Sequence, residues 1–204
     1  MPDQVFHPGE RALQERFDST RLADKIAEAT VHSTFTSRDA DFIQRMDMFF
    51  LATSDAQGNL DCSYKGGDPG FVRIVDEQTL AFPMYDGNGM FMSAGNLTQH
   101  PAVGMLFIDF ENQWRMRVNG AASIDFEDPL LAHYPEAQFI VRVTPRLIFV
   151  NCPRYIHKMK LVERSRFVPK AECETPEAEW KDHFADVLPE AQQERRRSRA
   201  RRSG

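Results

Sequence analysis

The chain has 204 residues and a formal net charge of −5, with 42% hydrophobic and 27% charged residues. This length fits one domain, or one domain with appended helices, and the composition is that of an ordinary globular protein. The negative net charge argues against a nucleic-acid-binding protein of the general basic type. No apolar run approaches the roughly 18 residues that a membrane-spanning helix needs, so we expect no membrane contact.

The distribution of cysteine and histidine argues against a fold held by disulfide bonds or by a structural metal ion. Cys62, Cys152 and Cys173 are widely spaced and form no C-x-x-C pair, and the six histidines lie apart without ligand spacing. The N-terminal stretch MPDQVFHPGERALQERF contains no apolar segment of the kind found in secretory signals. We therefore expect no disulfide framework, no metal site and a reducing cytoplasmic location.

Residues 1–46 have the periodicity of helices and form the first predicted segment. After a break at residues 18–20, a second helix follows the first, and a third is predicted to begin after Ser37, with Asp39 in its first turn. Apolar residues recur on one face of each predicted helix: Leu13 and Phe17, then Leu22, Ile26 and Ala29, then Phe42, Ile43 and Met46.

Residues 47–165 change to the periodicity of strands. Gly58-Asn59 predicts a tight turn, Pro145 predicts a bulge or a sheet edge, and the apolar run VGMLFIDF predicts a strand buried on both faces. Many strands with hairpin signals and one inserted helix favour an antiparallel barrel. Seven segments are predicted to be strands: MFFLATSD, LDCSYK, FVRIV, TLAFPM, VGMLFIDF, WRMRVNGAASI and FIVRVTPRLIFVNC.

The inserted segment DGNGMFMSAGNLTQHP predicts a glycine-rich turn that leads into a helix. Met90, Phe91, Ala94 and Leu97 have helical spacing, and Pro101 ends the pattern. The first N–H groups of such a helix have no partner within the helix, so they attract phosphate.

Residues 166–204 form the third predicted segment, a C-terminal helix and an arginine-rich tail. Thr175-Pro176-Glu177 is a typical helix start, followed by an apolar side with Trp180, Phe184, Val187 and Leu188. The block QQERRRSRARRSG after Pro189 is typical of a solvated, disordered tail, and a contact with an acidic partner, nucleic acid or another subunit is the alternative.

Three stretches are candidates for a binding site, and each has a purely structural alternative. SYKGG and DGNGM are either two glycine-containing turns or an anion site, in which Lys65 supplies a charge and the amides near Asn88 and Met90 supply donors. Arg115 in WRMRVNG either lies on a solvent-exposed face of the sheet or contacts a cofactor or a second subunit. Arg154 in NCPRYIHK either lies in a loop that only ends a strand or belongs to a binding site. None of these stretches has the pattern of a Rossmann or P-loop site.

Taken together, FFLATSDAQGNLDCSYKGG, LAFPMYDGNGMFMSAGNLTQHPAVGMLF and RMRVNGAASI resemble the pyridoxamine 5′-phosphate oxidase-like family of FMN-binding split barrels. NCPRYIHK resembles a motif of one branch of flavin oxidoreductases in that family. The resemblance implies a six-stranded antiparallel split barrel with flanking helices. It also implies a homodimer that binds FMN in clefts between the subunits, and a small-molecule substrate.

The resemblance carries over to particular positions of this chain. Ser63 to Gly67 correspond to the segment along the flavin ring and ribityl chain, and Lys65 offsets negative charge. The positions expected to contact the cofactor are Ser63, Tyr64, Lys65, Gly66, Gly67, Phe82, Pro83, Asn88, Met90, Phe91, Arg115 and Arg154.

The chain also departs from true pyridoxamine 5′-phosphate oxidases. The Arg-x-x-x-x-Lys strand and the Arg-Lys pair of those enzymes are replaced here by SYKGG and by Asn88-Gly89-Met90, and their C-terminal substrate-holding Trp and Arg have no counterpart. We therefore expect an FMN-dependent oxidoreductase of another substrate, and no vitamin B6 oxidation. The alternatives are a flavin carrier or sensor without turnover, or a cleft that binds a deazaflavin or haem.

Overall fold

The computed structural model describes residues 5–202, with side chains up to residue 198. The chain divides after Glu163 into two compact units. Among the described residues, no helix combines the length and the apolar character needed to cross a bilayer.

Three helices open the first unit: α1 (Pro8–Arg16), α2 (Thr20–Thr30) and α3 (Ser37–Arg45). The predicted break at residues 18–20 and the predicted start of α3 are confirmed, and Thr36 and Asp39 form a capping box at that start. Phe42 and Ile43 of α3 are buried in the core. The predicted apolar face of α1 and α2 is exposed instead, with Leu13, Phe17, Leu22 and Ile26 each at least half accessible.

The rest of the first unit is mainly β, as predicted, and its strands form one antiparallel sheet. The strand order is β2-β1-β5-β6-β7-β4-β3, so β2 and β3 lie at opposite ends and the sheet is not a closed barrel. The seven strands match the seven predicted segments. The family resemblance implies six strands, and the additional one is the short β3, which pairs with β4 at one end of the sheet. The strands are β1 (Met48–Ser54), β2 (Leu60–Gly66), β3 (Arg73–Asp76), β4 (Thr79–Met84), β5 (Ala102–Asp109), β6 (Trp114–Asp125) and β7 (Phe139–Val150).

The core lies against one face of the sheet, which we call the inner face. Phe49 of β1 is at its centre, with ring centroids 5.8, 5.0 and 5.2 Å from those of Phe71, Phe82 and Phe107. A helix inserted between β4 and β5, α4 (Met92–Gln99), covers the β1–β2 end of this face and buries Ala94 and Leu97.

The pairing of β6 with β7 confirms the predicted bulge at Pro145. The register shifts between Asn119 and Gly120, where Gly120 pairs with Pro145. A Cβ atom on Gly120 would lie 2.1 Å from the carbonyl oxygen of Thr144, so only glycine allows this close approach.

The prediction that β5 is buried on both faces is wrong. Val103, Met105 and Phe107 are buried on the inner face, whereas Leu106 and Ile108 on the other face remain partly exposed. Because successive side chains of a strand point to opposite faces, this alternating burial places only the inner face of β5 against the core.

The second unit contains a 3₁₀ helix at Glu179–Phe184 and a helix α5 at Glu190–Arg202. The prediction of a disordered tail is therefore wrong for residues 192–202, which belong to α5. The predicted apolar helix is shorter than expected. Arginine, glutamine and alanine favour helices, and Glu190 lies in the first turn, where a negative charge is favourable. Arg196 of α5 also pairs with Glu177 and Asp182. Residues 203 and 204 lie outside the described residues.

Candidate ligand cleft

An open cleft of about 280 Å³ lies between β2 and the segment that leads into α4. It combines the two stretches that the sequence singled out, because α4 packs over β1 and β2. The lining residues are Asp61, Ser63, Lys65, Met84, Tyr85, Gly87, Asn88, Gly89, Phe91, Met92, Ser93 and Ala94.

Strand β2 supplies one wall of the cleft with alternate side chains. Asp61, Ser63 and Lys65 line the cleft, whereas Cys62 and Tyr64 point to the other face of the sheet. This alternation follows from the two-residue period of a strand. Because β2 is the last strand at its end of the sheet, polar side chains on its inner face can reach a ligand without being buried in the core.

The start of α4 supplies the opposite wall. Gly89 and Phe91 have positive φ angles of 77° and 50°, and the Asn88 side-chain oxygen accepts a hydrogen bond from the Met90 amide at 3.0 Å. Because Phe91 takes this left-handed conformation, α4 begins at Met92, two residues later than the sequence predicts. The N–H groups of its first turn have no partner within the helix, so they form an anion-attracting end next to the cleft.

A chain of three hydrogen-bonded side chains links the two walls. The Ser93 hydroxyl donates to Asp61 Oδ2 at 2.7 Å, and the hydroxyl oxygens of Ser93 and Ser63 are 2.9 Å apart. A further hydrogen bond of 3.0 Å, from the Asn96 amide to the Thr53 hydroxyl, fixes α4 to β1. These contacts hold the cleft walls in one position.

Burial shifts the pKa values of two cleft residues. The pKa of Lys65 is lowered from 10.5 by desolvation, and the nearby negative charge of Asp61 partly opposes this change. The pKa of Tyr85 is raised to about 12 by desolvation, with further contributions from Tyr134 and Asp68. Tyr85 therefore presents a neutral phenol, able to donate a hydrogen bond, at physiological pH.

Four of the twelve predicted contact residues line this cleft: Ser63, Lys65, Asn88 and Phe91. Met90 is next to the lining segment and 65% exposed. Phe82 and Pro83 are buried on β4, just before the cleft residues Met84 and Tyr85.

Gly66 and Gly67 have a packing role within the chain. A Cβ atom would lie 2.7 Å from the Tyr64 ring at Gly66 and 2.4 Å from the Phe71 ring at Gly67. The bare backbone at these positions is thus covered by the protein's own aromatic rings. Contact between these glycines and a cofactor stays a prediction.

Tyr64 and Arg115 lie on the second face of the sheet, which we call the outer face. Successive cross-strand partners there form a row across five strands: Tyr64, Phe50, Leu106, Arg117 and Phe149. All five side chains in this row are at least partly exposed. The row is mainly aromatic and aliphatic, so the outer face is an apolar surface with arginines in it.

The arginines of the outer face are incompletely paired. The Arg117 guanidinium donates to the Asn151 side-chain oxygen at 2.8 Å, and its pKa is lowered by desolvation and by the charge of Arg115. Arg115 Nε is buried and has no hydrogen-bond partner among the described residues. Arg154, which follows β7, is exposed and lies over the Tyr155 ring at 5.8 Å, outside the lining of the cleft.

The sequence interpretation missed Asp61, Tyr85 and Ser93. Asp61 could have been found, because it lies two residues before Ser63 on the same side of the predicted strand. Ser93 could not, since its contact with Asp61 joins residues 32 positions apart. Among the described residues, no group of three or more His, Cys, Asp or Glu side chains is arranged to hold a metal ion.

A family model described as pyridoxamine 5′-phosphate oxidase matches residues 35–146, more than half of the chain. The chain belongs to the pyridoxamine 5′-phosphate oxidase family. The matched range includes β1 to β6, α4 and all residues that line the cleft. No curated protein matches the chain significantly.

Solved structures of similar proteins include ones with different cofactors in their names. HupZ of Group A Streptococcus is 19% identical, with 57% of this chain and 93% of HupZ covered and a TM-score of 0.46. An FMN-binding protein of Syntrophomonas wolfei is 11% identical, with 69% and 97% covered and a TM-score of 0.44. HutZ, the heme storage protein of Vibrio cholerae, is 18% identical, with 54% and 90% covered and a TM-score of 0.41.

Proposed function

We propose that this protein binds FMN in the cleft between β2 and α4 and acts, as a homodimer, as a flavin-dependent oxidoreductase on a small-molecule substrate. The observation that carries the proposal is the meeting of Lys65 and Ser63 with the start of α4 in a chain of the pyridoxamine 5′-phosphate oxidase family.

The donor set of the cleft suits a flavin mononucleotide. Lys65 offers one cation, and the first turn of α4 offers directed N–H donors for a phosphate. Gly87 and Gly89 have open space where a side chain would project, so a ligand can approach this backbone closely. Phe91, Met84 and Met92 add apolar surface for a planar ring.

The size of the cleft favours a site completed by a second chain. Its volume of about 280 Å³ is slightly below the roughly 300–1,000 Å³ typical of ligand pockets. The apolar outer face is a suitable surface for a second copy, and the buried, unpartnered Arg115 Nε on that face suits an acceptor from a ligand or from that copy.

A bound flavin supplies hydride or single-electron transfer, and the protein binds and orients it. Lys65 would neutralise part of the phosphate charge, and the amides at the start of α4 would hold its oxygens. Tyr85, kept neutral by its raised pKa, would donate a hydrogen bond to the ring or to the substrate. Met92 and Phe91 would exclude water from the ring.

The proposal is tested by the colour and the redox behaviour of the purified protein. We expect a dimeric mass in solution, flavin absorption bands, and release of FMN on denaturation. Anaerobic addition of NADH or NADPH should bleach the bands, and oxygen should restore them. A colourless monomer that does not bind added FMN would contradict the proposal.

The same experiment separates the alternatives. A protein with flavin bands that neither NADH nor NADPH bleaches, and that turns over none of the substrates tested, would be a carrier or sensor. A Soret band would indicate haem, although no histidine is among the residues that line the cleft.

A further inference from the structure

We propose that Asp61 is a specificity residue of the cleft, which keeps the affinity for a ligand's phosphate group low. Lys65 and the start of α4 still attract the phosphate, but we expect the wild-type protein to prefer FMN to riboflavin by no more than about tenfold. This inference rests on the proposed function, because it names the part of the flavin that the cleft recognises.

The hydrogen bonds among Asp61, Ser93 and Ser63 have a definite direction. A carboxylate only accepts, so the single hydroxyl proton of Ser93 is committed to Asp61 Oδ2 at 2.7 Å. The contact of 2.9 Å between Ser93 and Ser63 then requires that Ser63 donates and Ser93 accepts. The proton of Ser63 is thus used within the protein.

This direction limits what Ser63 can offer to a ligand. With its proton donated to Ser93, Ser63 presents only oxygen lone pairs to the cleft. Lone pairs suit ligand donors such as the hydroxyl groups of a ribityl chain. They do not suit a phosphate dianion, whose oxygens are acceptors.

The charge of the cleft also bears on phosphate binding. Among the described residues that line the cleft, only Lys65, Asp61 and Tyr85 are ionisable, and the formal charges of Lys65 and Asp61 cancel. Asp61 also reaches the first turn of α4 through Ser93, where its negative charge opposes the attraction of the helix N-terminus for phosphate. The carboxylate therefore weakens both features that would bind a phosphate.

The test compares two ligands that differ only in the phosphate, riboflavin and FMN, by fluorescence titration of the flavin-free full-length protein. For the wild type, the two Kd values should agree within about tenfold. Asp61→Asn removes the charge with little change of shape. It should tighten FMN binding by roughly tenfold, from the repulsion between a carboxylate and a phosphate dianion a few ångströms apart, and change riboflavin binding less than threefold.

Asp41→Asn is the matched control, because Asp41 is exposed on α3 and is not part of the cleft lining. It should change neither affinity. A wild-type Kd for FMN more than about tenfold below that for riboflavin would overturn the inference even if Asp61→Asn did not fold. Equal shifts for the two ligands in Asp61→Asn would overturn it as well, with the proposed flavin site intact. If no variant bound either flavin, the proposed function itself would be contradicted.

Discussion

The two faces of strand β2 differ in chemical character. Asp61, Ser63 and Lys65 line the cleft on the inner face, whereas the exposed ring of Tyr64 joins an apolar row on the outer face. Neither face of β2 contributes a large hydrophobic residue to the core. In our proposal, the strand therefore serves recognition on both sides: ligand binding on the inner face and subunit contact on the outer face.

The largest expected effect is on the outer face. Leu106→Arg puts a charge into the centre of the apolar row, beside Arg117. We expect the dimer to dissociate at least a hundredfold more readily, because an unpaired charge buried at an interface costs several kcal/mol. Analytical ultracentrifugation between 1 and 50 µM measures this. In our proposal the second chain also completes each cleft, so FMN affinity should fall together with dimerisation.

Val75→Arg is the control for that substitution, because Val75 is exposed on β3, at the far end of the sheet. It should leave the dimer intact. Unchanged association of Leu106→Arg would mean that the outer face is not the subunit interface.

A smaller effect is expected on the inner face. Lys65→Glu reverses the charge of the one Lys or Arg among the described residues that line the cleft, so FMN affinity should fall by roughly tenfold or more. The dimer mass should not change, because Lys65 is on the face opposite Tyr64. Lys160→Glu, an exposed position outside the cleft, is the control. Wild-type retention of FMN by Lys65→Glu would remove this residue from the site.

A third substitution should change the stability of the fold without changing FMN binding. Asp128 is buried and pairs with Arg142 of β7, whose hydrogen bonds lower the Asp128 pKa. Asp128→Asn should reduce the free energy of unfolding by about 1–2 kcal/mol near neutral pH, with less than a twofold change in FMN affinity. Thermal and urea unfolding measure the first quantity.

The pH dependence of that difference has a definite sign. Because the folded-state pKa of Asp128 is lowered, its contribution is fully present above the ordinary value of 3.8 and is lost as the pH falls below it. Wild type and Asp128→Asn should therefore converge in stability at acid pH. A difference that grew on acidification would contradict the assigned role of Arg142.

The smallest effect concerns Tyr85. Since its pKa is about 12, the phenol stays protonated up to pH 10.5. The ratio of FMN affinities between wild type and Tyr85→Phe should thus be constant from pH 7 to 10.5 in binding titrations. A ratio that changed with an apparent pKa below 10 would show that Tyr85 ionises in the working range.

Local patterns predicted most of the fold, because strand alternation, turn residues and helix caps act over a few positions. They placed seven strands, three N-terminal helices and the bulge at Pro145. They failed where contacts between distant residues determine the structure. The outer face of β5 is partly exposed, α4 begins after the left-handed Phe91, and α5 is a helix in which Arg196 pairs with acidic residues.

The site was predicted in part for the same reason. Lys65, Ser63 and Asn88 stand out next to glycines in the sequence, and the family resemblance joins the two stretches. The hydrogen bonds of Ser93 depend on how α4 packs over β2, which the spacing of residues along the chain does not reveal.

The central claim is that flavin binds between β2 and the start of α4. Amide hydrogen exchange of the full-length protein, measured with and without saturating FMN, tests it most directly. FMN is expected to slow amide exchange at residues 61–65 and 87–94. If FMN binds but exchange in both segments is unchanged, whether or not other segments are protected, the claim is contradicted.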